Sequence, residues 1–208
     1  NHAEYVVVNQ NLCTRIPDNT DIKEASFTVL GSIALHGLRL SETSLGSKVV
    51  VIGLGIIGQL VCRLAEAQGS EVIGIDPDTK RTDLSANFYT SVEEANMTNV
   101  DSVIITAATS SNEPIEVATK IARNKAKIVV VGDIPLNISR NDFYYKELEL
   151  VVSKSYGPGR YDKQYEILGK DYPIEYVRWT ENRNFEAFIK LLSQNQIHLL
   201  DLVTEEVS

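Results

Sequence analysis

The chain has 208 residues, with 20 basic and 28 acidic side chains, a formal net charge of −8 and 43% hydrophobic residues. These proportions are typical of a globular chain and exclude a disordered or collagen-like one. Because no basic run interleaves with aromatic residues, nucleic acid is not an expected partner. The longest uncharged apolar stretch, Val49 to Leu60, is too short to span a bilayer, so we expect no membrane partner.

The cysteine content and the first residues of the sequence indicate the cellular compartment of the protein. Cys13 and Cys62 are the two cysteines, and neither lies in a spacing typical of zinc sites. A disulfide is the alternative to two free thiols, and the low cysteine number favours free thiols in a reducing, cytoplasmic compartment. The chain opens without a signal-peptide pattern and without Met, which favours processing or an excised fragment.

Short apolar runs alternate with amphipathic stretches along the chain, which indicates an α/β fold. In chain order, the predicted elements are a strand over 3–8, a helix over 21–38, a strand over 48–52, a helix over 56–68, a strand over 71–75, a helical or turn segment, strands over 87–89 and 101–107, a helix over 113–124, strands over 127–131 and 149–153, a helix over 184–193, and a strand or connector over 198–207. Near-continuous Val and Ile runs are typical of parallel strands that are covered on both faces.

One motif carries the chemistry. Residues 53–58 read G-L-G-I-I-G, directly after a Val/Ile strand and at the start of a predicted helix. In a dinucleotide site, Gly53 would allow the tight turn, Gly55 the close approach of a pyrophosphate, and Gly58 the packing of helix on sheet. Asp76, 18 positions after Gly58, would accept hydrogen bonds from the adenosine ribose. We therefore predict a Rossmann doubly wound six-stranded parallel sheet, order 3-2-1-4-5-6, with helices on both faces.

Several alternatives to this interpretation stay open. The glycines could serve a tight turn alone, with Asp76 capping the turn before Pro77. Asp76 would repel a 2′-phosphate, which favours NAD over NADP, although Arg81 could soften that repulsion. No Tyr is followed four residues later by Lys, as short-chain dehydrogenases require, and no Gly-Lys-Ser/Thr closes a P-loop. A methyltransferase remains possible.

Together these residues resemble the cofactor-binding part of the medium-chain dehydrogenase superfamily, the zinc-type alcohol, sorbitol and threonine dehydrogenases. The landmarks are residues 2–7, similar to the last strand of that family's catalytic domain, an Ala-rich helix, residues 53–58 with Asp76, and Val131-Gly132. The resemblance implies hydride transfer between a nicotinamide and an alcohol or ketone. It also implies that this chain alone binds the cofactor without turnover.

The resemblance further implies domain boundaries and cofactor contacts. Residues 1–45 would be a remnant of the catalytic domain plus a hinge helix, 46–157 the NAD-binding domain, and 158–208 a C-terminal connector and helix. A homodimer would form through the edge of the sixth strand, 149–153. The implied cofactor contacts are Gly53, Leu54, Gly55, Ile56, Ile57, Gly58, Asp76, Arg81, Ala107, Val131, Gly132 and Tyr156.

Two departures from the family pattern matter. The family's catalytic domain with its first zinc ligands is missing, and the position of its third ligand is Thr28, a poor zinc ligand. We therefore expect no metal in this chain and assign no catalytic residue. A narrower resemblance, carried by 155–161, 171–173 and 176–180, is to zinc-type dehydrogenases of bacterial polysaccharide clusters and implies a sugar or nucleotide-sugar substrate. The alternative function is a non-catalytic module that binds or senses NAD.

Three arginines near the C-terminus, Arg160, Arg178 and Arg183, could bind a phosphorylated substrate, because a guanidinium group suits phosphate. We favour surface ion pairs as their role. The candidate acidic partners are Asp162, Asp171, Glu175 and Glu181.

Overall fold

A computed structural model describes residues 3–82, 84–85 and 87–203 of the chain. Its strands form one sheet in the order 3-2-1-4-5-6, and every neighbouring pair is parallel. The strands are β1 Lys48–Ile52, β2 Glu71–Ile75, β3 Phe88–Tyr89, β4 Val100–Ile105, β5 Ala122–Val130 and β6 Glu149–Val152. This topology confirms the predicted Rossmann fold.

Helices connect the strands and extend beyond the sheet. They are α1 Ile22–Ala25, α2 Thr28–Leu40, α3 Ile56–Ala67, α4 Thr79–Thr82, α5 Val92–Ala95, α6 Glu113–Ile121, α7 Arg140–Tyr144, α8 Lys163–Glu166 and α9 Glu181–Ser193, with 3₁₀ helices at Gln10–Leu12 and Leu200–Leu202. Within the described residues, none of these helices has the length and apolar character needed to cross a membrane.

The centre of the sheet is the main hydrophobic core. Val50 of β1 lies opposite Val103 of β4, and both are fully buried. On one face, Ile115 and Ile121 of α6 pack into the same cluster of buried residues. Burial on both faces explains the uninterrupted Val and Ile runs at 49–52, 103–105 and 128–130.

The chain divides into two compact units, and the division falls within α2. Of the described residues, those within 33–153 form the sheet unit, and those within 1–32 and 154–208 form the terminal unit. The predicted boundaries at 45/46 and 157/158 describe parts of a parent enzyme and stay predictions.

The terminal unit has its own core around α9. Tyr165, Phe188 and Leu199 are almost completely buried. A Cβ at Gly31 would overlap the ring of Phe188, so α2 and α9 can pack this closely only with glycine at that position. The Glu24 carboxylate accepts a hydrogen bond from the Leu199 N–H at 2.6 Å, which ties α1 to the end of the described chain.

The predicted strand over 3–8 is wrong. These residues form no strand, and Tyr5 and Val7 are largely exposed. The run A-E-Y-V-V-V has β propensity, but a strand needs a neighbour, and no described residue pairs with it. Residue 2 of the family landmark lies outside the described residues.

Two predicted helices have different bounds in the structure. The helix over 21–38 is divided into α1 and α2 by a turn, and Asp21 caps α1 by accepting from the Lys23 and Glu24 N–H groups. The helix over 113–124 ends at Ile121, because the backbone of Ala122 is no longer helical. Short helices α5, α7 and α8 were not predicted, since each spans at most five residues and presents no apolar stripe.

The predicted strand or connector over 198–207 lies partly within the described residues. Within the segment 198–207, residues 200–202 form a 3₁₀ helix rather than a strand. Residues 204–207 lie outside the part of the chain that the structure describes.

Lys146 closes the C-terminal end of α6. Its ammonium group donates to the carbonyl oxygens of Thr119, Lys120 and Ala122 at 2.7, 2.9 and 2.8 Å. We expect Lys146→Met to lower the free energy of unfolding by about 2 kcal/mol, because the carbonyls at the helix end lose a charged donor. Urea denaturation followed by circular dichroism measures this loss. The control is Lys125→Met, whose exposed ion pair with Glu147 should contribute less than about 1 kcal/mol; equal losses in both variants would contradict the capping role.

Candidate functional site

Glycine is required at Gly53 in the loop between β1 and α3 and at Gly58 in the first turn of α3. Gly53 has a φ of +98°, and its N–H donates to the Ile75 carbonyl at 2.8 Å. A Cβ at Gly53 would lie 2.5 Å from the backbone nitrogen of Ala107. A Cβ at Gly58 would overlap the Gly53 carbonyl oxygen. These contacts bring α3 close to the edge of the sheet, as the motif predicts.

Thr106 fastens this loop to the end of β4. Its hydroxyl donates to the Gly53 carbonyl at 2.5 Å, and its N–H donates to the Ile52 carbonyl at 2.8 Å. Thr106 was not predicted as a site residue, because a threonine after a strand carries no motif of its own. The only available signal was that the carboxyl ends of neighbouring parallel strands meet at one edge.

Gly55 leaves open space at the start of α3. A Cβ built on Gly55 would meet no atom within 4 Å, and its φ of −63° is one that any residue adopts. Gly55 is the N-cap of the 12-residue helix and supplies no side-chain hydrogen bond. The first-turn N–H groups and the helix dipole therefore face space that an anionic group can enter.

Asp76 lies at the end of β2 and is 3% exposed. One carboxylate oxygen accepts from the Leu54 N–H at 2.7 Å and from Arg81 at 3.0 Å, and the other accepts from the Asp78 N–H at 2.9 Å. Asp76 thus holds the glycine loop through Leu54 and the turn after β2 through Asp78. Arg81 also lies 3.5 Å from the Asp78 carboxylate, so two negative charges hold its guanidinium group.

A cavity of about 600 Å³ joins these features at the carboxyl edge of the sheet. Of the predicted contacts, it brings together Gly53, Gly55, Asp76, Arg81 and Ala107. The cavity is also lined by residues that were not predicted as site residues from the sequence: Thr90, Ser91, Val92, Glu93, Thr106, Thr109, Ser111, Glu113 and Lys120. The location agrees with the general position of ligands in open α/β sheets, outside the carboxyl ends of the strands.

The lining of this cavity does not include the other predicted contacts of this segment, Leu54, Ile56, Ile57 and Gly58. Leu54 is 1% exposed and contributes its N–H to Asp76. Ile56 and Ile57 are the first residues of α3. Ile56 is more than one-third exposed, and Ile57 is partly buried.

The predicted nicotinamide contacts occur in both units. Val131 and Gly132 extend β5, and each N–H donates to the Ile105 carbonyl, at 2.8 and 3.0 Å. A Cβ at Gly132 would overlap the Ala107 carbonyl oxygen, so glycine permits this approach. Tyr156 belongs to the terminal unit, where its ring lies 5.6 Å from that of Phe185 and burial raises the pKa of its hydroxyl.

We find no metal site among the described residues, either at the two cysteines or at a cluster of acidic side chains. Cys13 is exposed and Cys62 buried, and both are free thiols. Burial raises the pKa of the Cys62 thiol well above its ordinary value, which makes it unreactive. Among residues 3–82, 84–85 and 87–203, no three His, Cys, Asp or Glu side chains form a group that could hold a metal ion.

The C-terminal arginines form contacts with their own unit. Arg183 pairs with Asp171 at 2.5 Å, as the ion-pair interpretation expects. Arg160 pairs with Glu166 at 2.6 Å, and Arg178 lies 3.8 Å above the Trp179 ring.

The parallel sheet, the glycine loop and the buried acidic residue define a dinucleotide-binding domain of the dehydrogenase type. Residues 30–142, more than half of the chain, match the family model described as the NAD binding domain of D-isomer specific 2-hydroxyacid dehydrogenases. The chain belongs to this family of NAD-binding domains.

Two curated relatives are a dehydrogenase and a reductase by name. The chain is 28% identical over 174 residues to 2-dehydro-3-deoxy-L-galactonate 5-dehydrogenase from Pseudoalteromonas atlantica, a match that covers 74% of this chain and 49% of that protein. It is 32% identical over 87 residues to D-xylulose reductase A from Aspergillus oryzae, covering 41% of this chain and 24% of that protein. The chain thus spans at most about half the length of these curated relatives.

A solved structure supports the fold. Galactitol-1-phosphate dehydrogenase from Escherichia coli superimposes with a TM-score of 0.73 at 21% sequence identity, over 96% of this chain and 57% of that one. At this identity the likeness concerns the fold alone. The names of the two curated relatives agree with the resemblance to alcohol- and polyol-type dehydrogenases, and neither name refers to polysaccharide synthesis.

Proposed function

We propose that this chain is the cofactor-binding part of an NAD-dependent dehydrogenase that acts on an alcohol or carbonyl group of a sugar, sugar acid or polyol. The bound nicotinamide would accept or donate the hydride. The residues of this chain would bind and orient the cofactor: the glycine loop at the pyrophosphate, and Asp76 at the adenosine ribose. The substrate class rests on the names of the relatives, D-xylulose reductase A among them.

The open space at Gly55 is the observation that carries the proposal. A glycine that served only a tight turn would show a positive φ or a neighbour that excludes Cβ, as Gly53 and Gly58 do. Gly55 has neither, although it lies at the uncapped start of α3 and borders the cavity. Close approach by a ligand outside the chain explains why glycine is useful there.

The preference for NAD over NADP follows from charge. Asp76 is an acceptor at the strand end, where a 2′-phosphate would meet its negative charge. Arg81, the cation that could offset this repulsion, is held by Asp76 and Asp78. We therefore propose NAD as the cofactor.

Titration of the full chain with NAD, NADH and NADP tests the cofactor proposal. We expect NAD to bind at least about tenfold more tightly than NADP, because one unfavourable charge contact is of that size. Tighter binding of NADP would overturn the preference. If no dinucleotide binds at millimolar concentration, the chain alone is not a cofactor-binding unit.

Asp76→Asn is the informative variant for ribose recognition. Asp76→Ala would leave the buried Leu54 N–H without its acceptor. A loss of NAD affinity in that variant could then come from lower stability and not from the lost ribose contact. Asparagine keeps one oxygen for that N–H and removes the charge. We expect NAD affinity to fall about tenfold and the preference over NADP to shrink, as measured by isothermal titration calorimetry. Arg81→Ala, which leaves the carboxylate in place, should retain the preference for NAD.

Partners other than the cofactor remain proposals. A homodimer through the edge of β6 can be tested by light scattering of the full chain. The sugar-type substrate requires a turnover assay on the whole protein with polyols and sugar acids as candidates, since the chain covers only part of its relatives. A protein that binds NAD and oxidises none of them would favour the alternative of a non-catalytic NAD-binding module.

A further inference from the structure

Glu181, the first residue of α9, is a buried carboxyl group whose oxygens lack a hydrogen-bond partner. The residue is 0% exposed. Its backbone N–H donates to the Pro158 carbonyl at 2.8 Å, which holds α9 against the loop 155–161. Neither side-chain oxygen has a partner among the described residues. An ionised carboxylate in this state is strongly disfavoured, whereas the neutral acid is tolerated.

A neighbouring side chain, that of Arg160, also has an unsatisfied buried atom. Arg160 donates to Glu166 through one terminal nitrogen, while its buried Nε is unsatisfied by any described residue. Polar groups that are buried without partners are rare and call for an explanation. Here they occur around one carboxyl group of the terminal unit.

The loop 155–161 is fixed to the surroundings of Glu181 by several contacts. The Asn184 side chain of α9 donates to the Tyr156 carbonyl at 3.0 Å. Gly159, with a φ of +106°, lies so close to the Tyr165 ring that a Cβ would be 2.7 Å from it. The loop therefore packs against the start of α9, beside the buried Glu181.

Charges around Glu181 add to the effect of burial. Burial is the largest cause that raises the pKa of Glu181 to about 7; the negative charge of Glu166 raises it further, and Arg160 lowers it. Glu24 of α1 is occupied by the Leu199 N–H, Arg183 and Asp171 pair with each other, and residues 10–12 carry no ionisable side chain. Three tyrosines that interact with the charge of Glu181 have pKa values raised above the ordinary tyrosine value and are neutral at pH 7: Tyr156, Tyr165 and Tyr172.

We propose that Glu181 is a proton-binding site that controls opening of the loop 155–161. With the loop closed, the carboxyl group keeps its proton. When the loop opens, water hydrates the group and accepts the proton, and Glu181 becomes a carboxylate in solvent. This proposal does not depend on cofactor binding.

The sign of the pH effect follows from linkage. The open form has an ordinary glutamate pKa of about 4.3, whereas the closed form binds the proton more tightly. Opening therefore becomes more favourable as pH rises from that value to about 7, by at most about tenfold per pH unit, and then levels off. Loop closure is most stable in mild acid.

Amide hydrogen exchange of residues 155–161 in the full chain tests the proposal. After correction for the intrinsic pH dependence of exchange, protection in the wild type should fall up to about seventyfold between pH 5 and 8. Glu181→Gln, which stays neutral, should show flat protection. Glu186→Gln, an exposed position on the same helix, should behave as wild type. A pH-independent wild-type profile, or the same fall in Glu181→Gln, would overturn the proposal.

A second measurement does not require a folded variant. Carbon-13 NMR of the glutamate carboxyl groups in the wild-type chain should show one resonance that titrates near pH 7. If every resonance titrates below pH 5, then Glu181 is ionised in the closed loop and the proposal is wrong.

Discussion

Gly55→Ala is expected to weaken NAD binding by about a hundredfold while it leaves the free energy of unfolding within about 1 kcal/mol of the wild-type value. The added methyl group meets no atom of the protein, and the backbone of Gly55 suits alanine. The methyl group does, however, enter the space through which a pyrophosphate must approach the N–H groups of α3. Calorimetric titration with NAD measures the first effect, and urea denaturation the second.

The matched control is Gly58→Ala, three residues further on in the first turn of α3. There the methyl group would overlap the Gly53 carbonyl oxygen and approach the Thr106 hydroxyl, so α3 must move away from the sheet. We expect a loss of about 3 kcal/mol in stability together with loss of binding. If Gly55→Ala binds NAD as tightly as the wild type, then the loop serves structure alone and the proposed function fails. If both variants lose equal stability, then Gly55 is not open in solution.

The sequence predicted those elements whose signals are local. β1 and β2 coincide with their Val/Ile runs, and α3 begins at Ile56, where its apolar stripe begins. Parallel pairing then follows from helices that alternate with strands, since a crossover is needed between parallel neighbours. The sheet order could be predicted because the motif identifies β1 as the strand next to the topological switch point.

Elements that depend on a distant partner could not be predicted in the same way. The run over 3–8 has strand composition without a described neighbour, and Thr106 matters only because β1 and β4 lie side by side. In the site, the glycines and Asp76 were recognisable from spacing, whereas the rest of the cavity lining was not. Tertiary packing determines both whether the run over 3–8 forms a strand and which side chains line the cavity, and a single sequence does not show that packing.

Glu181 is the clearest reversal of a sequence-based interpretation. Acidic residues near arginines were expected to form surface ion pairs, and Asp171 does so with Arg183. Glu181 instead occupies the first turn of α9, where its apolar neighbours Phe185 and Phe188 on the same helix pack into the core. From the sequence alone, a glutamate at the start of a helix is interpreted as a charge that the helix dipole stabilises. The structure shows that Glu181 is buried.

Glu181→Gln should consequently make stability less dependent on pH. The wild type keeps its proton in the folded state up to about pH 7 but loses it in the unfolded state near pH 4.3, so its free energy of unfolding falls across that window and is constant above it. Between pH 5 and 8 we expect the wild type to lose about 2.5 kcal/mol more than the variant. Urea denaturation followed by the fluorescence of Trp179, the single tryptophan, measures both proteins.

Glu186→Gln provides the reference for that comparison, because it removes a carboxylate from the exposed face of the same helix. It should follow the wild-type pH dependence within about 0.5 kcal/mol. A wild type whose stability rises from pH 5 to 8, with Glu181→Gln lacking that rise, would mean that the carboxylate is stabilised by contacts inside the terminal unit. In that case Arg160, which lowers the pKa of Glu181, would outweigh burial, and the closed loop would hold an ion pair in place of a proton.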